Sequence, residues 1–151
     1  MTRTVAVGSA DPLMKEGYAT VLRAQRAALA AVSGPLDAVD RMREAFDARR
    51  QAIVAALNQI EGVHCPTPKG AFYAFPDVRG LLNRPMGPNG QVFADTSALA
   101  AALLDEAHVA AVPGEAFGAP GYLRFSYALA DDQLAEGMRR FQEWVAASPA
   151  A

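Results

Sequence analysis

One arginine interrupts an apolar, aromatic-rich segment towards the end of the chain. In "GYLRFSYA" (residues 121–128), the residues from Tyr122 to Tyr127 predict a short β-strand. Alternation along a strand gives two faces: Leu123, Phe125 and Tyr127 on one, and Tyr122, Arg124 and Ser126 on the other. A guanidinium held on such a rigid element is suited to bind a carboxylate through two hydrogen bonds, because its planar fork matches two carboxylate oxygens. The alternative is an arginine that reaches solvent or pairs with a surface carboxylate.

The elements around this arginine follow from periodicity and from capping signals. Asp11-Pro12 predicts the start of a first helix, and Ser33-Gly34-Pro35 ends it. A second helix of about 25 residues is predicted from a single apolar stripe, formed by Leu36, Val39, Met42, Phe46, Ile53, Leu57 and Ile60. Further helices are predicted to start near Asp95 or Thr96 and near Asp131, strands at 71–75 and 109–113, and a long loop at 79–94. The order predicts an α/β fold, a two-layer sandwich of a small sheet with helices.

Composition limits the classes of function that the chain can have. It has 151 residues, a formal net charge of −2 and one cysteine, Cys65. Nothing in this charge balance favours nucleic acid or an anionic membrane surface as a partner. No segment approaches the ~18 apolar residues of a membrane span. A single cysteine excludes an internal disulfide and fits a reducing compartment, so we expect a cytoplasmic protein.

Other chemically capable residues give weaker signals. His64 and Cys65 are adjacent in a strand or turn, where side chains point apart, and no third group orients them. His108 is placed at the end of the third helix, where a cation suits the helix dipole. Phe117 is a candidate for the substrate region, with a packing role equally open. We expect "DARRQ" (47–51) to be a solvated helix face, and we expect turn roles for the remaining candidates, Gly114, Gly118 and Gly121.

Three ordered segments resemble the C-terminal part of class I pyridoxal-phosphate-dependent aminotransferases. They are "TPKGAFYAFP", "AAVPGEAFGAPGYLRFSYA" and "LAEGMRRFQEW", and the likeness is to bacterial aspartate aminotransferases in particular. The resemblance runs from roughly Gln25 to Val145. It implies that residues 25–151 form the small domain of such an enzyme and that residues 1–24 are an atypical segment outside the match.

The resemblance also implies a function. In this family the arginine of the strand that reads Arg124-Phe125-Ser126-Tyr127-Ala128 here binds the α-carboxylate of the substrate. The reaction implied is transfer of an amino group between an amino acid, with aspartate favoured, and 2-oxoglutarate. Pyridoxal phosphate is the implied cofactor, and a cytoplasmic homodimer is the implied assembly of the complete enzyme.

The chain departs from the family in one large respect. The serine-lysine motif that forms the Schiff base with pyridoxal phosphate is absent, and Lys15 and Lys69 do not match it. We therefore expect no catalytic, cofactor-binding or metal-ligating residue in this chain, and a truncated gene product that is inactive alone. Two alternatives stay open: a non-catalytic partner that completes a large domain on another chain, and a binding module for small carboxylates.

Overall fold

The first helix follows its capping signals closely. The computed structural model describes residues 11–149. Helix α1 covers Pro12–Ser33, and the Asp11 carboxylate caps it by accepting a hydrogen bond of 2.6 Å from the Leu13 amide. No side chain of α1 is buried. The chain divides into two compact units, one that ends at Asp40 and contains α1, and one that begins at Arg41 and contains the sheet.

The second helix confirms the predicted stripe only in its C-terminal part. Helix α2 covers Asp37–Asn58, and Ile53 and Leu57 are fully buried on it. Ile60, which follows the helix, is also buried, and Phe46 is partly buried against the core. The first residues of the predicted stripe are instead exposed: Leu36, Val39 and Met42. Periodicity identifies a helix face, but it does not show which part of that face is covered by other residues.

A three-stranded antiparallel sheet forms the second layer. Its order is β1 (Tyr73–Ala74), β5 (Leu123–Ser126) and β4 (Val112–Pro113), with β5 in the centre. The predicted strands at 71–75 and 109–113 are both shorter than expected. Ala71 has a φ of 60° and lies in a turn, so the extended backbone begins only at Tyr73.

Residues 79–94 are more ordered than the predicted loop. A 3₁₀ turn covers Arg79–Leu81, and β2 (Pro85–Met86) pairs antiparallel with β3 (Gln91–Val92). Gly87 and Gly90, with φ angles of 65° and 63°, make the left-handed backbone between the two strands possible. Glycines and prolines that predict a loop thus lie in a hairpin here, with two of the glycines in its turn.

Helices α3 (Thr96–Ala107) and α4 (Asp131–Ala146) start where the sequence predicted. Asp95 caps α3 by accepting a hydrogen bond of 2.8 Å from the Ala98 amide. Trp144 of α4 donates a hydrogen bond of 2.8 Å to Glu106 of α3, which joins the two helices. In the part of the chain that the structure describes, no helix is long and apolar enough to cross a membrane.

The hydrophobic core lies between one face of the sheet and three helical segments: the C-terminal part of α2, α3 and α4. The rings of Phe125 (β5) and Phe141 (α4) stack with centroids 5.6 Å apart. The C-terminal half of α2 joins the same core, and Gln142 of α4 donates a hydrogen bond of 3.0 Å to the Ala56 carbonyl. The predicted two-layer α/β architecture is confirmed. The sheet therefore has one face under helices and one face free of the core.

Candidate carboxylate-binding site

Arg124 projects from the free face of the sheet, as the alternation of β5 predicted. Leu123, Phe125 and Tyr127 are buried beneath it, whereas Arg124 is half-buried and Ser126 is exposed. The strand that carries Arg124 is hydrogen-bonded on both sides, to β1 and to β4. The backbone of Arg124 is thus fixed by hydrogen bonds to two neighbouring strands and does not lie in a loop.

Two aromatic rings cover the head of Arg124. Its guanidinium carbon lies 4.4 Å from the ring centroid of Tyr73 and 4.6 Å from that of Phe117, both within cation–π range. Within residues 11–149, the Arg124 guanidinium has no ion pair and no hydrogen-bond partner. Its N–H donors are therefore available to a ligand.

The two rings belong to a larger aromatic surface on the free face of the sheet. We call this surface the aromatic face; its residues are Tyr73, Phe75, Phe117 and Tyr122. Phe75 stacks on Tyr122 with centroids 5.2 Å apart and meets Phe117 edge-on at 6.1 Å. The Phe72 and Tyr73 rings lie 4.5 Å apart. Arg124 thus contacts Tyr73 and also Phe117, which belongs to a ring cluster with Phe75 and Tyr122.

The turn that presents Phe117 depends on a glycine and a carboxylate. A 3₁₀ turn covers Gly114–Phe117, and the Gly114 amide donates a hydrogen bond of 2.7 Å to the Tyr122 carbonyl. A Cβ on Gly114 would lie only 2.0 Å from the carbonyl oxygen of Ala119. Glu115 accepts hydrogen bonds from the amide and the hydroxyl of Thr96, at the start of α3. The bond from the Thr96 hydroxyl lowers the pKa of the Glu115 carboxyl, which keeps the carboxylate charged at this helix N-terminus.

The other glycines of this segment are also turn residues. Gly118 and Gly121 have φ angles of 68° and 86°, a conformation that side chains with a Cβ rarely adopt. No helix follows them directly, so they do not form a glycine-rich loop for a dinucleotide.

The His64–Cys65 pair is not a reactive centre. His64 is exposed, and its backbone pairs with that of Asp77. Cys65 is buried, its amide and carbonyl are both bound by the Asn58 side chain, and burial raises the pKa of its thiol. A raised pKa disfavours the nucleophilic thiolate.

The remaining polar candidates have structural roles. His108 caps the C-terminus of α3 in a left-handed conformation. The segment at 47–51 is less solvated than predicted, because Arg49 pairs with Asp131 of α4 at 2.5 Å and Arg50 pairs with Asp47 at 2.6 Å. Among residues 11–149, no group of three or more His, Cys, Asp or Glu side chains is placed to hold a metal ion.

The described residues do not fit pyridoxal phosphate. Lys15 is exposed on α1, and Lys69 is exposed in the turn before β1. Lys69 borders an open depression of 420 Å³ whose lining does not include Arg124. Covalent attachment of this cofactor requires a lysine in an enclosed site beside the substrate, and neither lysine is in such a place.

Sequence reasoning identified Arg124 but not the surroundings of its head. The sequence is compatible with a packing role or a substrate-region role for Phe117, and the structure shows it in contact with Arg124. No sequence pattern singles out Tyr73. The alternation of strand 71–75 could have placed Tyr73 and Phe75 on one face. Only the pairing of Tyr73 with Ser126 brings that face next to Arg124.

Comparisons with known proteins identify one family over most of the chain. The family model for aminotransferase class I and II matches residues 10–141. The match includes residues 10–24, which lie outside the segment where the resemblance was expected. The chain is 61% identical over 116 residues to an aspartate aminotransferase of Streptomyces avermitilis, covering 77% of this chain and 28% of the relative. It is 46% identical over 123 residues to an aspartate/prephenate aminotransferase of Cereibacter sphaeroides, covering 82% of this chain and 30% of the relative.

Solved structures give the same result. The aspartate aminotransferase of Rhizobium meliloti superposes with a TM-score of 0.77 at 37% identity, over 83% of this chain and 31% of that one. The alanine aminotransferase of Pyrococcus furiosus superposes with a TM-score of 0.69 at 30% identity, over 82% of this chain and 29% of that one. The chain spans less than a third of the length of these relatives.

Proposed function

Because the chain belongs to the class I and II aminotransferases, we propose that it is the part of such an enzyme that binds the α-carboxylate of the substrate, through Arg124. The observation that carries the proposal is that the N–H donors of the Arg124 guanidinium have no partner among the described residues. The guanidinium is half-buried on a central strand, and no carboxylate in the described residues occupies its donors. A substrate carboxylate would accept two parallel N–H hydrogen bonds from it.

The reaction that we propose for the complete enzyme is transfer of an amino group between aspartate and 2-oxoglutarate. Its support is the similarity to relatives named aspartate aminotransferase. The family is dependent on pyridoxal phosphate, which would supply the chemistry. The contribution of this chain is to bind and orient the substrate, because correct orientation of reacting groups lowers the barrier to reaction.

We also propose that the complete enzyme is a cytoplasmic homodimer. The family resemblance supports the dimer, and a single buried cysteine fits a reducing compartment. Sedimentation of the complete enzyme as a single-chain species would contradict the dimer.

The proposal is tested by titrating the purified chain with aspartate and with 2-oxoglutarate while recording the NMR signal of the Arg124 Nε–H group. We expect a saturable shift in the wild type. Charge-assisted hydrogen bonds contribute about 1.5–3 kcal/mol each, so the loss of even one should weaken binding by about tenfold to a hundredfold. Arg124→Ala removes both and should weaken binding by at least this much. Because this variant lacks the Arg124 Nε–H group, its binding is followed through the NMR signal of the Ser126 amide.

Arg139→Ala is the matched control, because Arg139 lies on α4 and its donors are taken by Glu136 and Glu143. This variant should bind aspartate as the wild type does. A wild-type chain with no saturable shift, or an Arg124→Ala variant with unchanged affinity, would refute the proposed role of Arg124.

A further inference from the structure

Arg124 differs from other arginines of the described chain in what holds its head. Arg79 is bound by the carboxylate of Asp77, and Arg139 is bound by Glu136 and Glu143, so their N–H donors are used within the protein. The head of Arg124 is covered by two rings instead. A ring face attracts a cation through its quadrupole and takes none of its in-plane hydrogen-bond donors.

We propose that Tyr73 and Phe117 are positioning residues, which fix the Arg124 guanidinium by cation–π contact while leaving its donors free for a carboxylate. This inference rests on the proposed carboxylate-binding function of Arg124. An arginine side chain loses about 2 kcal/mol of rotamer entropy when it is fixed. Rings that fix it before the ligand arrives remove part of that cost from binding.

Each ring is held by an element other than the strand of Arg124. Tyr73 lies on β1, in register with Ser126, and its ring contacts Phe72. Phe117 lies at the end of the 3₁₀ turn and contacts Phe75 edge-on. Since β1 and the turn are positioned independently of the guanidinium, the rings are in place whether or not a carboxylate is bound.

A role in the core does not account for Phe117. Its exposed fraction is 49%, against 3% for Phe125 and 0% for Phe141, whose rings form the core stack. A large apolar side chain left half in water gains only about half of the stabilisation that full burial would give. Its contacts with Arg124 and with Phe75 are what place it on the aromatic face.

The test uses NMR titration of the full chain with aspartate. Phe117→Leu and Tyr73→Leu should each raise the Kd by about three- to tenfold, the effect of losing one cation–π contact. Tyr73→Phe retains a ring and should keep the wild-type Kd. The Arg124 side-chain protons should show upfield ring-current shifts in the wild type and in Tyr73→Phe, reduced in both leucine variants, without any ligand.

Tyr18→Leu is the matched control. It makes the same chemical change as Tyr73→Leu at an exposed ring on α1, outside the aromatic face. We expect it to leave the Kd and the Arg124 shifts unchanged. An equal loss of affinity in Tyr18→Leu would overturn the inference, because the effect would then not belong to the two rings that contact Arg124.

The outcomes separate this inference from the proposed function. If Arg124→Ala abolishes binding while both leucine variants bind as the wild type does, the positioning role is refuted and the carboxylate site stands. If the wild type gives no saturable shift although the ring-current shifts are present, the carboxylate site is refuted and the positioning role is refuted with it.

Discussion

The turn at Gly114 allows a sharp test of how the backbone supports the candidate site. Gly114 lies in contact with the backbone at Ala119 and Tyr122, and a Cβ there would lie 2.0 Å and 2.7 Å from their carbonyl oxygens. Non-bonded heavy atoms ordinarily lie about 3.5 Å apart, so Gly114→Ala must move the turn by about 1.5 Å. The hydrogen bond of 2.7 Å from the Gly114 amide to the Tyr122 carbonyl opposes that movement.

The expected loss of stability in Gly114→Ala follows from overpacking of the turn. Inserting a methyl group into a filled space costs about 1–3 kcal/mol, and we expect the upper half of that range because a hydrogen bond is strained as well. For a domain of this size, each kcal/mol lowers the melting temperature by about 2–4 °C. Because the displaced turn carries Phe117, Gly114→Ala should also reduce the ring-current shifts of Arg124 and weaken the binding of aspartate.

The matched control is the same substitution at Gly137, in the interior of α4. A Cβ there meets nothing within 4 Å, and alanine is the better helix former, so Gly137→Ala should stabilise the chain by about 0.5–1 kcal/mol. Urea unfolding followed by circular dichroism measures both variants. A Gly114→Ala variant as stable as the wild type, with unchanged Arg124 signals, would refute the argument from close packing.

Three further predictions concern single side chains. Tyr127→Phe removes the hydroxyl that donates a hydrogen bond of 2.9 Å to the Ala71 carbonyl, and should cost about 1–2 kcal/mol in urea unfolding; no measurable loss would contradict the role of that bond. Hydrogen bonds from Arg139 and then Arg140 lower the pKa of Glu136 from 4.5 to about 2. Glu136 therefore stabilises the fold above pH 4.5 and loses this effect as the pH falls towards 2, so the stability difference between wild type and Glu136→Gln should shrink over that interval and not grow. The Cys65 thiol, buried and with a raised pKa, should react with a thiol reagent at neutral pH only after unfolding by urea, and rapid reaction of the native chain would contradict its burial.

Local chemistry accounts for what the sequence predicted well. The starts of α1 and α3 follow from the side chains of Asp11 and Asp95, each of which caps its own helix a few residues away. The two faces of β5 follow from alternation alone, since Leu123 and Phe125 are buried and Arg124 is not. These features need no knowledge of distant parts of the chain.

Features that depend on distant neighbours were not predictable in the same way. The hairpin of Pro85–Met86 and Gln91–Val92 is an exception, since it is local, but loop signals do not specify its strand pairing. Val39 and Ile53 belong to one apolar stripe, yet only Ile53 is buried. The contact of Tyr73 with Arg124 requires the register between β1 and β5, and no local pattern fixes that register.

The candidate site illustrates why an arginine needs context before its role can be inferred. By residue type, Arg124 and Arg139 are equivalent, and both emerge from regular elements. Arg139 is bound by Glu136 and Glu143, and it stabilises α4 with donors that are already used. Arg124 is bound by π faces, which hold the cation and leave its donors without a partner among the described residues. This difference in what holds the two guanidinium groups is why we propose a ligand carboxylate for Arg124 and none for Arg139.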